Sequence, residues 1–388
     1  MRLLLAYSWR NVFTRRLTSA LTIFGVALVV FVFCAVLMLS HGLRRTLVDT
    51  GDDNNAVVIR KAAQTEITSI VYRREGNIIK ADPAVALTPE GRPRASGELL
   101  VLITKTKRSS DETSNVPVRG VAPEALLLRP DISLVAGRLW RPGRSEIIAG
   151  AKVAAGFQNA GLGEKVRFAS RDWTVVGIFE DNNSGFESEL WGDYDQLAAA
   201  FERPIYSSVT VRLKSPDRFS GMKARLENDP RLAVDVRREK QYYADQSSFT
   251  ATYINILGLV ISVIFSVGAI VGAMITMYGS VAGRTREIGT LRTLGFGRFA
   301  ILSAFLAESV LMALVGGGLG VTAAALLRFA QVSTTNWDTF AELAFSFETS
   351  PGIIAGALVF AALMGVVGGF LPAVRASRLS VLSALRAK

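Results

Sequence analysis

Residues 17–40 read LTSALTIFGVALVVFVFCAVLMLS, twenty-four residues without a charge. About twenty apolar residues cross the hydrocarbon core of a bilayer, so this stretch is long enough to span with some tilt. Arg15 and Arg16 precede it, as basic residues precede a secretory signal. The run is longer than an ordinary signal core, however, and no small-residue cleavage motif precedes His41-Gly42-Leu43-Arg44. The expected element is an uncleaved anchor with its N-terminus in the cytoplasm.

Three more apolar runs lie towards the other end, at 254–279, 300–330 and 352–371. Half of the 388 residues are hydrophobic and the mean hydropathy is +0.32. The apolar residues gather at the two ends and leave a polar middle, whereas a soluble core would distribute them periodically. Basic residues sit beside the apolar runs. Segments 1–16, 280–300 and 371–388 carry +4, +3 and +4, which account for the whole formal charge of +11. A pI near 10 often marks nucleic-acid binding. Here each basic block abuts a span, as cytoplasmic flanks do, so no nucleic-acid partner is expected. Four crossings put all three blocks on one side.

These observations predict an α+β integral membrane protein with four transmembrane helices, N-in and C-in. A large extracytoplasmic α+β domain, in two lobes, lies between the first and second spans. The expected divisions are a cytoplasmic segment 1–16, spans 17–41, 251–280, 300–330 and 352–371, an outer domain 42–250, a cytoplasmic loop 281–299, a short outer loop 331–351 and a cytoplasmic tail 372–388. The expected location is the cytoplasmic (inner) membrane, with the lipid bilayer itself as a partner.

Short β-rich stretches in the middle include 56–59, 99–103, 165–168, 173–179 and 208–213. Turn signals separate them at Glu75-Gly76-Asn77, Glu90-Gly91-Arg92-Pro93 and Arg141-Pro142-Gly143. Helical candidates are 145–157, 193–201 and 217–228. The stretch from about 120 to 200 interrupts material on either side, hence the two lobes.

Little here points to catalysis. Cys34 is the sole cysteine and His41 the sole histidine, so disulfides, histidine metal sites and Ser-His-Asp chemistry lack material. There is no G-x-x-x-x-G-K-[ST], so no P-loop for ATP, and no H-E-x-x-H or G-x-S-x-G. Asp111-Glu112 and Asp181 occupy polar, loop-like contexts and read as solvated surface. No cofactor is expected on this chain.

Glu308 is the acid that falls well inside a span, a candidate functional residue on that ground, although an interface-paired acid would look the same. Glycines recur at 316–318, 320, 365 and 368–369. They suit close helix packing in lipid, within the chain or against a second copy.

The loop between the second and third spans reads GRTREIGTLRTLGFGRFAI. Ile288, Leu291 and Leu294 recur at helical spacing and predict a short helix with one apolar stripe. Glu287 lies one turn after Arg284 and can pair with it. Gly295 supplies a stop. Such a helix suits either a groove on a partner or the lipid surface.

Arg286-Glu287-Ile288-Gly289-Thr290-Leu291-Arg292-Thr293-Leu294-Gly295, followed by FLAESVLMALVGGGLG at 305–320, resembles the signature of MacB/FtsX-like (LolC/LolE-related) ABC transporter permeases. Thr293 departs from the family's usual alanine. The opening Trp9-Arg10-Asn11 with Leu21-Thr22-Ile23-Phe24-Gly25, and the close Leu371-Pro372-Ala373-Val374-Arg375-Ala376-Ser377-Arg378-Leu379 with Ala384-Leu385-Arg386, are similar to the family's ends. Val118-Arg119-Gly120-Val121 and residues 173–179 are family-like pieces of the middle. The resemblance implies a permease subunit whose loop helix docks on a separate cytoplasmic ATPase, which binds ATP and Mg²⁺. Arg286, Glu287, Ile288, Gly289, Leu291, Arg292 and Gly295 are then the ATPase-coupling residues. It also implies a second permease copy or a paralogue, and a membrane-fusion protein or lipoprotein outside. The ATP cycle would drive export or extraction of a hydrophobic, lipid-linked or periplasmic substrate without passing it through a pore. A scaffold resembling FtsX, activating an extracytoplasmic cell-wall hydrolase, is the alternative.

Overall fold

The computed structural model describes residues 16–48, 50–335 and 339–379. The motif residues Trp9, Arg10 and Asn11 and the closing Ala384-Leu385-Arg386 lie outside the described residues. The chain divides into two compact units, one of Met1–Gly42, Thr252–Ala330 and Ser346–Lys388, the other of Leu43–Ala251 and Gln331–Phe345. In chain order the helices are α1 (Arg16–Val48), α2 (Arg73–Lys80), α3 (Ala125–Leu128), α4 (Ala151–Gly156), α5 (Tyr194–Ala200), α6 (Arg218–Glu227), α7 (Glu239–Ala282), α8 (Thr285–Thr293), α9 (Arg298–Ala325) and α10 (Pro351–Arg378).

Among the described residues, four helices are long and apolar enough to cross a membrane: Ser19–Leu47 within α1, Thr252–Ala282 within α7, Arg298–Phe329 covering α9 and a closing 3-10 turn, and Pro351–Arg378. Glycine sets their spacing. A Cβ on Gly316 would stand 2.6 Å from the Ile23 carbonyl of α1, and one on Gly317 2.7 Å from Ala361 of α10. Gly365 of α10 lies against Val310 and Ala313 of α9, and Gly368 against Ala273 of α7. Most of the glycines in the sequence clusters therefore serve packing within the chain, where close approach replaces the hydrophobic drive. Gly318 meets nothing within 4 Å. Helix α10 runs through Pro372, which is buried among neighbouring helices that tolerate the interruption.

The second unit is a ten-stranded sheet. Its strands are β1 (Asn55–Arg60), β2 (Ala95–Thr106), β3 (Thr113–Val121), β4 (Ser133–Gly137), β5 (Glu146–Gly150), β6 (Lys165–Phe168), β7 (Arg171–Glu180), β8 (Leu190–Asp193), β9 (Ser208–Arg212) and β10 (Val234–Arg238). They run β10-β1-β9-β2-β3-β8-β5-β7-β4, with β6 paired to β7. The first four positions, all antiparallel, form a β-α-β-β-α-β unit with α2 and α6 as its crossovers. Everything from β3 to β8 is inserted between β2 and β9, so the lobes are two halves of one sheet. A hairpin of β11 (Gln331–Thr335) and β12 (Glu342–Ser346) follows α9, and most of it belongs to this second unit. Part of the loop expected at 331–351 is therefore a strand pair.

Three local readings change. Glu75-Gly76-Asn77 is no turn but the middle of α2. Glu75 accepts the Tyr72 N–H at 2.8 Å, and Gly76 is small because the Tyr206 ring presses on that face. The helix expected over 145–157 begins as β5, a strand buried along its length between β7 and β8. A short apolar run of that kind has no periodicity that separates strand from helix. Asp181 is buried rather than solvated, with the Ser184 hydroxyl donating to it. Burial pushes its carboxyl up to about 6.

A charge cluster lies in the core of this unit. Arg119 donates from Nε and Nη2 to Glu189, from Nη1 and Nη2 to Glu66, and from Nη1 to Glu98, at 2.7–3.1 Å. Those contacts use all five of its N–H groups. Arg129 binds Glu98 and Glu239, and the hydroxyls of Ser208 and Tyr243 donate to Glu66. Burial pushes Glu66 up, but the guanidinium of Arg119 and the Ser208 hydroxyl outweigh it and hold the carboxyl below its ordinary value.

Candidate functional site

The loop between the second and third spans folds into α8, held at three points. Arg284 precedes the helix, and its carbonyl accepts the Ile288 N–H at 2.9 Å. Ile288 is 1 % exposed and packs in a cluster with Met277 and Val281 of α7, Ile301, Phe305 and Met312 of α9, and Ala373 and Ala376 of α10. At the far end, the Gly295 N–H donates to the Arg292 carbonyl and the Phe296 N–H to the Leu291 carbonyl. That pair of bonds is a Schellman ending, and it needs the left-handed φ of +91° that Gly295 adopts.

The expected coupling residues therefore divide. Arg286 and Glu287 are exposed; Ile288 and Gly289 are buried; Leu291 and Arg292 are half-buried. Gly295 is exposed, with a conformational role in ending the helix. Ile288 and Gly289 face the spans, and Arg286, Glu287 and Leu294 lie on the other side of the helix. Leu294, read in the sequence only as part of the apolar stripe, is 71 % exposed, and Phe299 at the start of α9 is 76 % exposed.

Glu308 lies on α9 and is 5 % exposed. The sequence places Arg284 across one turn from Glu287; the structure takes it elsewhere. Its Nη1 donates to Glu308 Oε2 at 2.9 Å, both side chains being more than nine-tenths buried. The guanidinium also lies 6.0 Å from the Phe305 ring centroid, at the limit of a cation–π contact. A buried acid attracts a buried base because each alone is costly in an apolar setting. The sequence signal for this pair was a lone acid in one span and an arginine at the end of the preceding one. Nothing in residue spacing joins positions 24 apart across a turn.

On its outer side, α1 and α7 frame a groove of about 380 Å³ lined by Gly25, Gly268 and Gly272 among larger apolar residues. The Thr22 and Thr276 hydroxyls are hydrogen-bonded across it at 2.7 Å.

Comparison with known proteins places this architecture. The family model described as a MacB-like periplasmic core domain matches residues 19–229, more than half the chain, and the one described as an FtsX-like permease C-terminal region matches 259–381. The chain belongs to the MacB/FtsX-like ABC transporter permease family. A similar protein is the uncharacterized ABC transporter permease YknZ of Bacillus subtilis, 31% identical over 238 residues, covering 58% of this chain and 57% of that protein. Another is the macrolide export ATP-binding/permease protein MacB of Shewanella sp. strain ANA-3, 26% identical over 411 residues, covering 96% of this chain and 58% of that one. The matches thus span little more than half the length of these relatives. Among solved structures, the extracellular domain of the noncanonic ABC-type transporter YknZ aligns over 47% of this chain and all of its own, at 19% identity and a TM-score of 0.35. This family member, with four helices able to span among its described residues, is a multi-pass protein of the cytoplasmic membrane. Arg284 to Gly295, with Glu308, fall within the permease region of the match.

Proposed function

We propose that this permease transmits the ATP cycle of a separate cytoplasmic ABC ATPase to its outer domain. The transmitted motion drives export or extraction of a hydrophobic, lipid-linked or periplasmic substrate. The observation that carries this reading is α8: a short helix whose buried face is seated among α7, α9 and α10 and whose other face offers Arg286, Glu287 and Leu294. In an N-in, C-in arrangement that face lies in the cytoplasm. ATP and Mg²⁺ are then held by the partner, and a second copy or paralogue of the permease packs beside the spans. A membrane-fusion protein or lipoprotein is the fitting partner outside. Among the described residues Glu308 is the one acid within the spans, which suits a transmission better than a charged conduit.

The test is co-purification of the cognate ABC ATPase with the full chain from membranes. Arg286→Glu combined with Leu294→Asp is expected to abolish it while leaving membrane insertion intact. ATPase capture equal to that of the unaltered chain would contradict docking at α8.

A further inference from the structure

We infer that Glu308 is the positioning residue of α8: through Arg284 it fixes the pose in which that helix meets the partner ATPase. This inference rests on the docking reading above.

Helix α8 has nine residues, too few to be stable alone in water, so its pose depends on what it is attached to. Of those residues only Ile288 and Gly289 are buried. Ile288 in its pocket resists withdrawal of the helix, and the Arg284–Glu308 pair adds a side-chain attachment that constrains its rotation. Arg284 stands one helical turn before Ile288, on the same side, and ends on Glu308 at 2.9 Å. A guanidinium–carboxylate bond is directional, so it constrains angle as well as distance.

The other end of the pair is well supported. Next to Glu308 on α9, the Ser309 hydroxyl donates to the Gly365 carbonyl of α10 at 2.8 Å, and Val310 and Ala313 lie against Gly365. One turn earlier, Phe305 belongs to the cluster that receives Ile288. Glu308 thus belongs to the packed seam of α9 and α10, and a load on α8 reaches that seam through the ion pair. Further along α9, Gly316 and Gly320 continue the close packing onto α1. An acid inside a span is costly, and this one ties α9 to the residue that precedes α8.

The test uses the full permease with its ABC ATPase in proteoliposomes, reading stimulation of ATP hydrolysis over the ATPase alone. Arg284→Glu and Glu308→Arg are each expected to lower stimulation about tenfold, with ATPase co-purification retained. The double variant, which restores an ion pair in reversed order, is expected to recover most of it. Where a single reversal fails to insert, Glu308→Gln takes its place, since it keeps size and polarity and loses the charge; the same loss is expected. Full stimulation by Glu308→Gln, or no recovery in the stably inserted double variant, would overturn the inference. The docking reading would survive that result if Arg286→Glu with Leu294→Asp still released the ATPase.

Discussion

Replacing Arg119 by methionine tests whether the buried charge cluster organises the outer domain. The substitution keeps roughly the length of the side chain and removes five hydrogen bonds at once. Glu98 keeps Arg129, but Glu189 keeps only the Trp191 indole N–H among its side-chain donors, and Glu66 is left with hydroxyls. Removing one partner from a buried ion pair costs about 3–5 kcal/mol. In a domain of this size each kcal/mol lowers the midpoint by about 2–4 °C, so a fall of about 10 °C is expected. Thermal unfolding of the full chain in detergent, followed by tryptophan fluorescence, reads the change through Trp191. Arg119→Lys should fall in between, since an ammonium keeps the charge without the five-donor fork. A midpoint for Arg119→Met within about 2 °C of the parent would refute the reasoning.

Asp181 gives a pH dependence. Its carboxyl titrates near 6 when folded, against about 4 in an unfolded chain, so the neutral form stabilises the fold below about pH 4 and that contribution is lost as pH rises through about 6. Asp181→Asn should raise the melting midpoint at pH 7.5 by more than at pH 5; equal shifts at both would count against the burial argument. In the spans, Gly365→Val should destabilise by about 1–3 kcal/mol, because its side chain meets Val310 and Ala313 of α9. Gly318→Ala, with nothing within 4 Å, should stay within about 0.5 kcal/mol. Melting curves in detergent separate the two, and similar losses for both would argue against this packing.

The spans were legible because lipid imposes length and composition directly on sequence. Residues 17–40 and their basic flank could also open a secretory signal, and the length of the charge-free run is what favours a span. Strands at 165–168 and 208–213 were legible through β-branched residues bounded by turns. The helix of Arg73–Lys80 was not, because Gly76 reads as a turn until the Tyr206 ring is known to lie over it. Strand β5 failed for the complementary reason, since burial on both faces erases alternation. The loop helix, its apolar stripe and its glycine stop could be read off spacing, but which side faces the spans could not. Ile288 and Leu294 look equivalent in sequence, and only packing buries one and exposes the other. The Arg284–Glu308 pair and the Arg119 cluster join residues far apart in the chain, and such pairs leave no periodic trace. Arg119 did give a local hint, as a lone cation in the buried second half of the strand Thr113–Val121.

The central claim is that α8 presents its outward face to an ABC ATPase, and a photo-crosslinking amino acid at Leu294 tests it most directly. In membranes containing both proteins, the account predicts a covalent adduct with the ATPase whose yield changes between ATP-bound and nucleotide-free states. The same probe at Gly318 should give none. Adducts with lipid alone at position 294, or an ATPase adduct of equal yield from position 318, would contradict it.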